Sequence, residues 1–254
     1  MPRPTRSLQH EYERYLEQEI ENYKESVPRT VLLGIGDEAV AALARQAQFT
    51  LTELIVWEEV DRIIARRLRL PSATTWRRRR SKLIEELRRP ERWGMTANHV
   101  LVRGLSEAPR GSALVAGSVD ENPTLYFAAN GCTVTALDHE AEAVERVMQA
   151  AVQAGLGDRV NPCVGDLQTW APTNPLYAVV LNRAALSFLA PAERPQVMQH
   201  LQAATIAGGI HLVDVGVERD SAELEEWRTL YPGWRIEFDV RSAGGSRLVA
   251  TKTA

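Results

Sequence analysis

From residue 111 onward the chain intersperses short apolar runs, at 113–116, 132–137, 160–164, 177–182 and 209–215, with helical patterns at 122–130, 140–154, 191–206 and 220–230. The runs are too short for helices and lack the polar alternation of a strand with one wet face, so they read as strands covered on both sides. Strands of that kind assemble as a parallel sheet with helices on both faces, an α/β fold. The closing segments WRIEFDV and SRLVATK, joined around Ala243-Gly244-Gly245, have the pattern of a β-hairpin and add one antiparallel strand at the end.

Within this series, residues 113–138 read ALVAGSVDENPTLYFAANGCTVTALD: a strand, a tight turn at Gly117, a helix, and a second strand ending on an acid. This is the first half of a nucleotide-binding βαβ unit, whose turn opens onto a ligand and whose terminal carboxylate, Asp138, can accept hydrogen bonds from ribose hydroxyls. Its glycine loop is degenerate. In place of Gly-x-Gly-x-Gly the chain has Gly117-Ser118-Val119-Asp120-Glu121, which sets side chains where bare backbone usually approaches a ligand. Gly117, Asp138, Asp166 and Asn182 all fall at the carboxyl ends of predicted strands, where open α/β sheets bind ligands. Asp138 and Asp166 also have a purely structural use open to them, because Asp is a frequent cap of the helix that follows it.

With its elements in this order, the part from residue 111 to 254 resembles a class I S-adenosylmethionine-dependent methyltransferase domain, carried by an ordered series of segments. ALVAGSVDENPTLYFA stands where that family has the loop around the methionine part of the cofactor, with Gly117 matching its first glycine. Ser118 follows in this loop, and Asp120 or Glu121 is placed to bind the cofactor's ammonium group. VTALD matches the ribose-binding strand end, which gives Asp138 that role with His139 next to it. VGDLQTW resembles the segment flanking the adenine, so the resemblance implies Asp166 as acceptor from the exocyclic amine and Leu167 as backbone donor. YAVVLNRAALSFL resembles the fourth strand and its loop, placing Asn182 and Arg183 beside the sulfonium and the acceptor pocket. IAGGIHLVDV resembles the Gly-Gly turn into the fifth strand, a structural role for Gly208 and Gly209. The cofactor implied is S-adenosylmethionine. No catalytic base stands out, and neither His139 nor His211 is assigned to that task.

The front part is different in kind. Residues 8–26 are helical, with Tyr12, Tyr15, Leu16, Ile20 and Tyr23 on one stripe. Pro28 opens a second helix carrying Val31, Leu32, Ile35, Val40, Leu43 and Ala44 toward a core. The alternative, a strand followed by Gly34-x-Gly36 as the nucleotide loop, is the weaker reading because no second strand follows. A third helix runs from Thr52 to about Leu70, and after Pro71-Ser72 a fourth begins near Thr74 as TTWRRRRSKLIEELRR. The helix, turn and basic helix over 52–88 form a possible helix-turn-helix, in which Arg77, Arg78, Arg79, Arg80 and Lys82 can meet phosphates. Four consecutive arginines surround a helix, so some must face the protein, where Glu58, Glu59 and Asp61 are available partners. Residues 90–110 read as a connector with at most one short element. The resulting division is a helical domain over 1–104 and a Rossmann-like methyltransferase domain over 105–254.

Charge supports that division: Lys and Arg number 19 against 15 Asp and Glu up to Gly104, and 11 against 18 beyond it. Cys132 and Cys163 both fall in strands expected to be buried, and no disulfide framework is implied, which fits a reducing, cytoplasmic setting. No apolar run approaches the length of a membrane span, and the five histidines lack metal-ligand spacing. Asn182-Arg183-Ala184-Ala185 replaces the Asn-Pro-Pro-Tyr pattern of enzymes that methylate DNA amines, and Cys163 lies in the wrong strand for cytosine C5 chemistry. A small-molecule acceptor is therefore the first reading. Two rivals stand beside it. One is a non-catalytic regulator, read as a homodimer, that binds DNA or RNA through its arginine helix; the other is an enzyme that methylates RNA.

Overall fold

Strands β1 (Ser112–Ala116) and β4 (Leu176–Leu181) carry almost no polar side chain, and they lie side by side at the centre of the sheet, buried nearly end to end. The structure, a computed structural model, describes residues 8–45, 53–96, 99–107, 111–117, 121–215, 222–240 and 246–253. Around the central pair stand β2 (Thr133–Asp138), β3 (Val160–Val164), β5 (Thr205–Asp214), β6 (Arg235–Val240) and β7 (Ser246–Thr251). The spatial order is β3-β2-β1-β4-β5-β7-β6. Pairing is parallel from β3 through β5, and β7 runs antiparallel to both β5 and β6. The fold is thus a mostly parallel Rossmann-like sheet with an antiparallel hairpin at one side. The order reverses between β1 and β4, and the strand ends on either side of that switch are in register, Ala116 facing both Leu137 and Leu181.

Alternate side chains of each strand enter opposite cores, as the two-residue period requires. One core takes Ala113, Val115, Val134, Ala136, Val180 and Leu212 from the sheet; the other takes Leu114, Ala116, Leu137, Val179, Leu181 and Val213. The first is covered by α6 (Asn122–Ala129) and α7 (Ala141–Gln153), the second by α8 (Arg183–Ser187), α9 (Arg194–Ala204) and α10 (Ala222–Thr229).

The chain divides into two compact units, Met1–Ser81 and Lys82–Ala254. The division falls within a helix, some twenty residues before the boundary drawn at Gly104. The segment read as a connector contains a 3-10 helix (Pro90–Trp93) and α5 (Val100–Glu107), and its Trp93, Met95 and Leu101 are buried in the first core of the sheet. Trp93 packs against Tyr126 and Phe127 at ring separations of 5.7 and 5.8 Å. Prolines and glycines gave this stretch the look of a linker, but its few large apolar residues cover the sheet. Cys132 is buried in the turn before β2, whereas Cys163 sits on the edge strand β3 and is only half-buried, contrary to expectation.

The first unit consists of helices α1 (Leu8–Ser26), α2 (Arg29–Ala44), α3 (Glu53–Arg67) and the first part of α4 (Ala73–Leu87). Gly34 and Gly36 lie inside α2, and a Cβ on either would meet nothing within 4 Å, so neither serves a close approach. Ile35, Ala39 and Leu43, spaced by four, form the buried stripe of α2, while Val31, Val40 and Ala44 face outward. Ile20, Ile35, Ala39, Val60, Ile63 and Ile64 make the core of this unit. Glu59 is buried beside it and is held by Arg62 and by Arg66, the latter at 2.9 Å.

A polar network locks the base of β5. The Thr205 hydroxyl donates to the Leu201 carbonyl at 2.7 Å, so its oxygen accepts from His211 Nε2 at 2.8 Å, and His211 Nδ1 accepts from the Tyr231 hydroxyl at 3.1 Å. His211 is fully buried, and burial, aided by the Lys252 cation, pushes its pKa down to about 3. The folded protein therefore keeps His211 neutral where the unfolded chain takes up a proton. Stability contributed by this network is whole above about pH 6.5, the ordinary histidine value, and is lost as pH falls toward 3. His211→Gln, which keeps a donor but binds no proton, should lower the melting temperature at pH 7.5 yet flatten its decline between pH 6.5 and 4; thermal unfolding monitored by circular dichroism across that range checks it.

Candidate functional site

The carboxyl ends of β1, β2, β3 and β4 converge on one open cleft, lined by Ala116, Gly117, Leu137, Asp138, His139, Gly165, Asp166, Leu167, Gln168, Ala185, Phe188 and Leu189. Its position follows from the sheet order, since the loops after β1 and β4 diverge to opposite faces at the switch and leave a crevice between them. Of the expected residues, Gly117, Asp138, His139, Asp166 and Leu167 line it. Asn182 is next to it but bonds inward. Ser118, Val119 and Asp120 lie outside the described residues. Glu121 is exposed at the start of α6 and is not among the lining residues.

Gly117 is required twice over. Its φ is +84°, in the left-handed region, and an added Cβ would stand 2.9 Å from the Ala185 nitrogen and 3.1 Å from the Asn182 Cβ. The turn is pinned from both neighbouring strands. Gly117 N–H donates to the Leu137 carbonyl at 2.9 Å, and Asn182 Nδ2 donates to the Gly117 carbonyl at 2.6 Å. The Asn182 amide in turn donates to the Ala116 carbonyl at 2.9 Å, extending the β1–β4 pairing by one step.

Asp138 closes β2 with only 7% of its surface exposed. Its Oδ1 accepts from the Glu140 amide at 3.0 Å and lies 3.1 Å from His139 Nδ1. The His139 ring rests on Phe188, their centroids 3.8 Å apart. Asp166 is exposed and acts as a cap: its Oδ1 accepts from the Gln168 amide at 2.9 Å, the Thr169 amide at 2.8 Å and the Thr169 hydroxyl at 2.9 Å. The two bonds from Thr169 are the main reason its pKa lies below the usual carboxylate value. Leu167 is buried beneath it. Phe188, Gln168 and Leu189 were not singled out in the sequence. The available signal for Phe188 was a large apolar residue just beyond the fourth strand, where the loop has to cross the crevice.

The arginine run is divided in its environment. Arg77, Arg78 and Arg79 are exposed, whereas Arg80 pairs with Glu11 and lies 5.3 Å over the Trp76 ring. The acids expected to receive it are otherwise engaged, Glu59 by Arg62 and Arg66, and Asp61 by Lys24 at 2.8 Å. Among the described residues no group of three His, Cys, Asp or Glu is placed to hold a metal ion, and no helix is long and apolar enough to cross a membrane.

A parallel sheet in this order, with a glycine turn at its switch and an acid at the end of the next strand, defines a Rossmann-like methyltransferase. Residues 90–223 match the family described as Tellurite resistance protein TehB, and the chain belongs to that family of S-adenosylmethionine-dependent methyltransferases. The cofactor of the family is S-adenosylmethionine. Similar solved structures include the glycopeptide N-methyltransferase MtfA complexed with S-adenosylmethionine, at 16% identity over 59% of this chain and 84% of that one with a TM-score of 0.49. Others are a methyltransferase from Geobacter sulfurreducens (15%, 61% and 76%, TM-score 0.48) and the N-methyltransferase NodS from Bradyrhizobium japonicum WM9 (15%, 61% and 93%, TM-score 0.46). No curated protein sequence matches the chain.

Gly117→Ala should cost at least about 1–2 kcal/mol from the left-handed backbone alone, with more from the contact with Ala185. A lower melting temperature together with loss of S-adenosylhomocysteine binding is the expected result, measured by thermal shift with and without ligand.

Proposed function

We propose that this chain transfers a methyl group from S-adenosylmethionine to a small-molecule acceptor. The observation that carries the reading is the meeting of Gly117, Asp138 and Asp166, from three separate strand ends, in one open cleft. Gly117 fits the methionine end of the cofactor, since its backbone borders the cleft at the end of β1. Asp138 fits the ribose, as a buried acceptor on the cleft wall. Leu167 and Leu137 supply apolar wall for the base, and Asp166 adds an acceptor at the rim. Ser118 and Asp120 complete the loop around the methionine end in this reading.

When bound, the cofactor supplies a methyl group on a sulfonium, whose carbon–sulfur bond breaks as the acceptor lone pair bonds to the methyl carbon. The protein's share is alignment and exclusion of water. Asn182 holds the carbonyl of Gly117 and so fixes the turn that would meet the methionine end; Ala116 and Leu137 add apolar wall beside it. No side chain of the cleft is needed as a general base when the acceptor is already a good nucleophile. The absence of Asn-Pro-Pro-Tyr after β4 favours a small acceptor over a DNA base. Tellurite belongs in the acceptor screen, because the family is described by resistance to it.

Calorimetric titration with S-adenosylmethionine and S-adenosylhomocysteine tests the reading. Micromolar binding is expected, weakened roughly 10- to 100-fold by Asp138→Ala, the worth of hydrogen bonds to a charged acceptor. No heat from a folded wild-type protein would overturn it, and salt-dependent binding of RNA to Arg77, Arg78 and Arg79 would then be the property to measure.

A further inference from the structure

Helix α2 is apolar nearly all round. From Val31 to Ala44 only Asp37 and Glu38 are charged, and Glu38 is taken up by Arg67. A helix of that composition belongs where both of its faces are covered. One face is, since Ile35, Ala39 and Leu43 are buried. The opposite face is bare, with Leu33 59% and Val40 43% exposed and Ala41 and Ala44 exposed beside them. Of the twelve large apolar side chains exposed among the described residues, seven lie in the first unit, so the missing cover belongs to that unit and not to the sheet.

Two charges on the bare side say what the cover is. Asp37 and Arg45 are both exposed, and neither has an ion-pair partner among the described residues. Arg45 lies back along the helix, its Nε donating to the Ala41 carbonyl at 3.0 Å. The acid and the base are about 12 Å apart along the axis, too far to pair within one helix, and Ala41 stands midway between them. When a second α2 crosses antiparallel at Ala41, residues equally far from it in opposite directions meet, and Asp37 of each copy comes to Arg45 of the other. A crossing at Asp37 would set like charges together, and one at Val40 would leave Asp37 level with Leu43. The small Ala41 also lets the two backbones approach closely.

We infer that the outer face of α2 is the contact through which two copies of this chain associate about a two-fold axis at Ala41, with Leu33, Val40 and Ala44 as its apolar part and reciprocal Asp37–Arg45 pairs fixing the register. A contact of this kind needs a surface complementary to itself, and this stripe is, its acid and base set symmetrically about a small residue. α2 is about 24 Å long, so two of them crossing bury less than the roughly 1,200–2,000 Å² of a stable complex, and the dimer is a weak one that forms at micromolar concentration. The inference is independent of the cofactor cleft.

The test is sedimentation velocity of the full chain from about 1 to 100 μM, for wild type, Asp37→Arg, Arg45→Asp and the variant carrying both reversals. The wild type should pass from monomer to dimer as concentration rises. Each single reversal sets like charges together at both ends of the contact and should weaken association at least about tenfold, and the double reversal should restore it. A wild type that stays monomeric, a single reversal that leaves the dimer intact, or a double reversal that fails to restore it would each overturn the inference. Both side chains are exposed, so their replacement leaves the core of the unit intact, and circular dichroism verifies the fold of each variant.

Discussion

Everything in the cleft depends on the backbone of Gly117 lying flush between two strands. Its amide is bonded to the end of β2 and its carbonyl to the first residue after β4, so three strand ends are tied at one point. Because a Cβ would strike the Ala185 nitrogen, the tie exists only for glycine. The later glycines of a conventional loop are replaced here, but they serve approach by a ligand; the first one serves the sheet itself. This separates the part of the motif that builds the fold from the part that tunes binding, and it explains how the architecture persists with Val119 and Glu121 in the loop.

The second constraint is the two-sided burial of β1 and β4. Strands with no polar face need a cover on each side, and the helices from within the alternating series do not exhaust the demand. Trp93, Met95 and Leu101 complete the first core, with Arg247 set over the Trp93 ring at 5.2 Å. The residues before β1 are thus part of the sheet's packing, and the sheet-bearing unit begins at Lys82.

What the sequence disclosed follows from the range of each interaction. Periodicity is local, so most strands and helices of the alternating part, and α1, were legible to within two residues; β5 starts at Thr205, four residues before the expected 209, α9 starts three residues after the expected 191, and the short α8 was not read at all. The Rossmann-like order and the strand-end positions of Gly117, Asp138, Asp166 and Asn182 were legible for the same reason, because the topology turns a linear order into a spatial one. Long-range choices were not. Nothing local tells Arg80 to pair with Glu11 instead of Glu59, or tells Trp93 that it will find Tyr126 and Phe127. Asp166 shows how two local signals compete, since the same carboxylate that suits an amine at the rim is an equally good cap, and its Oδ1 is taken up by the turn through Thr169. Phe188 escaped notice because its place is defined by what lies opposite.

The position of β7 between β5 and β6 has a consequence for biosynthesis. As the chain emerges from the ribosome, β6 is complete before its neighbour exists, and it pairs with nothing but β7. Until residues 246–251 arrive, β5 presents a bare hydrogen-bonding edge and the nascent sheet has an unblocked flank of the kind that recruits other chains. Leu248, Val249 and Ala250, which enter both cores at once, close that flank in a single step. The short apolar run of β7 thereby acts as the keystone of assembly, set after the stones on either side of it have been made.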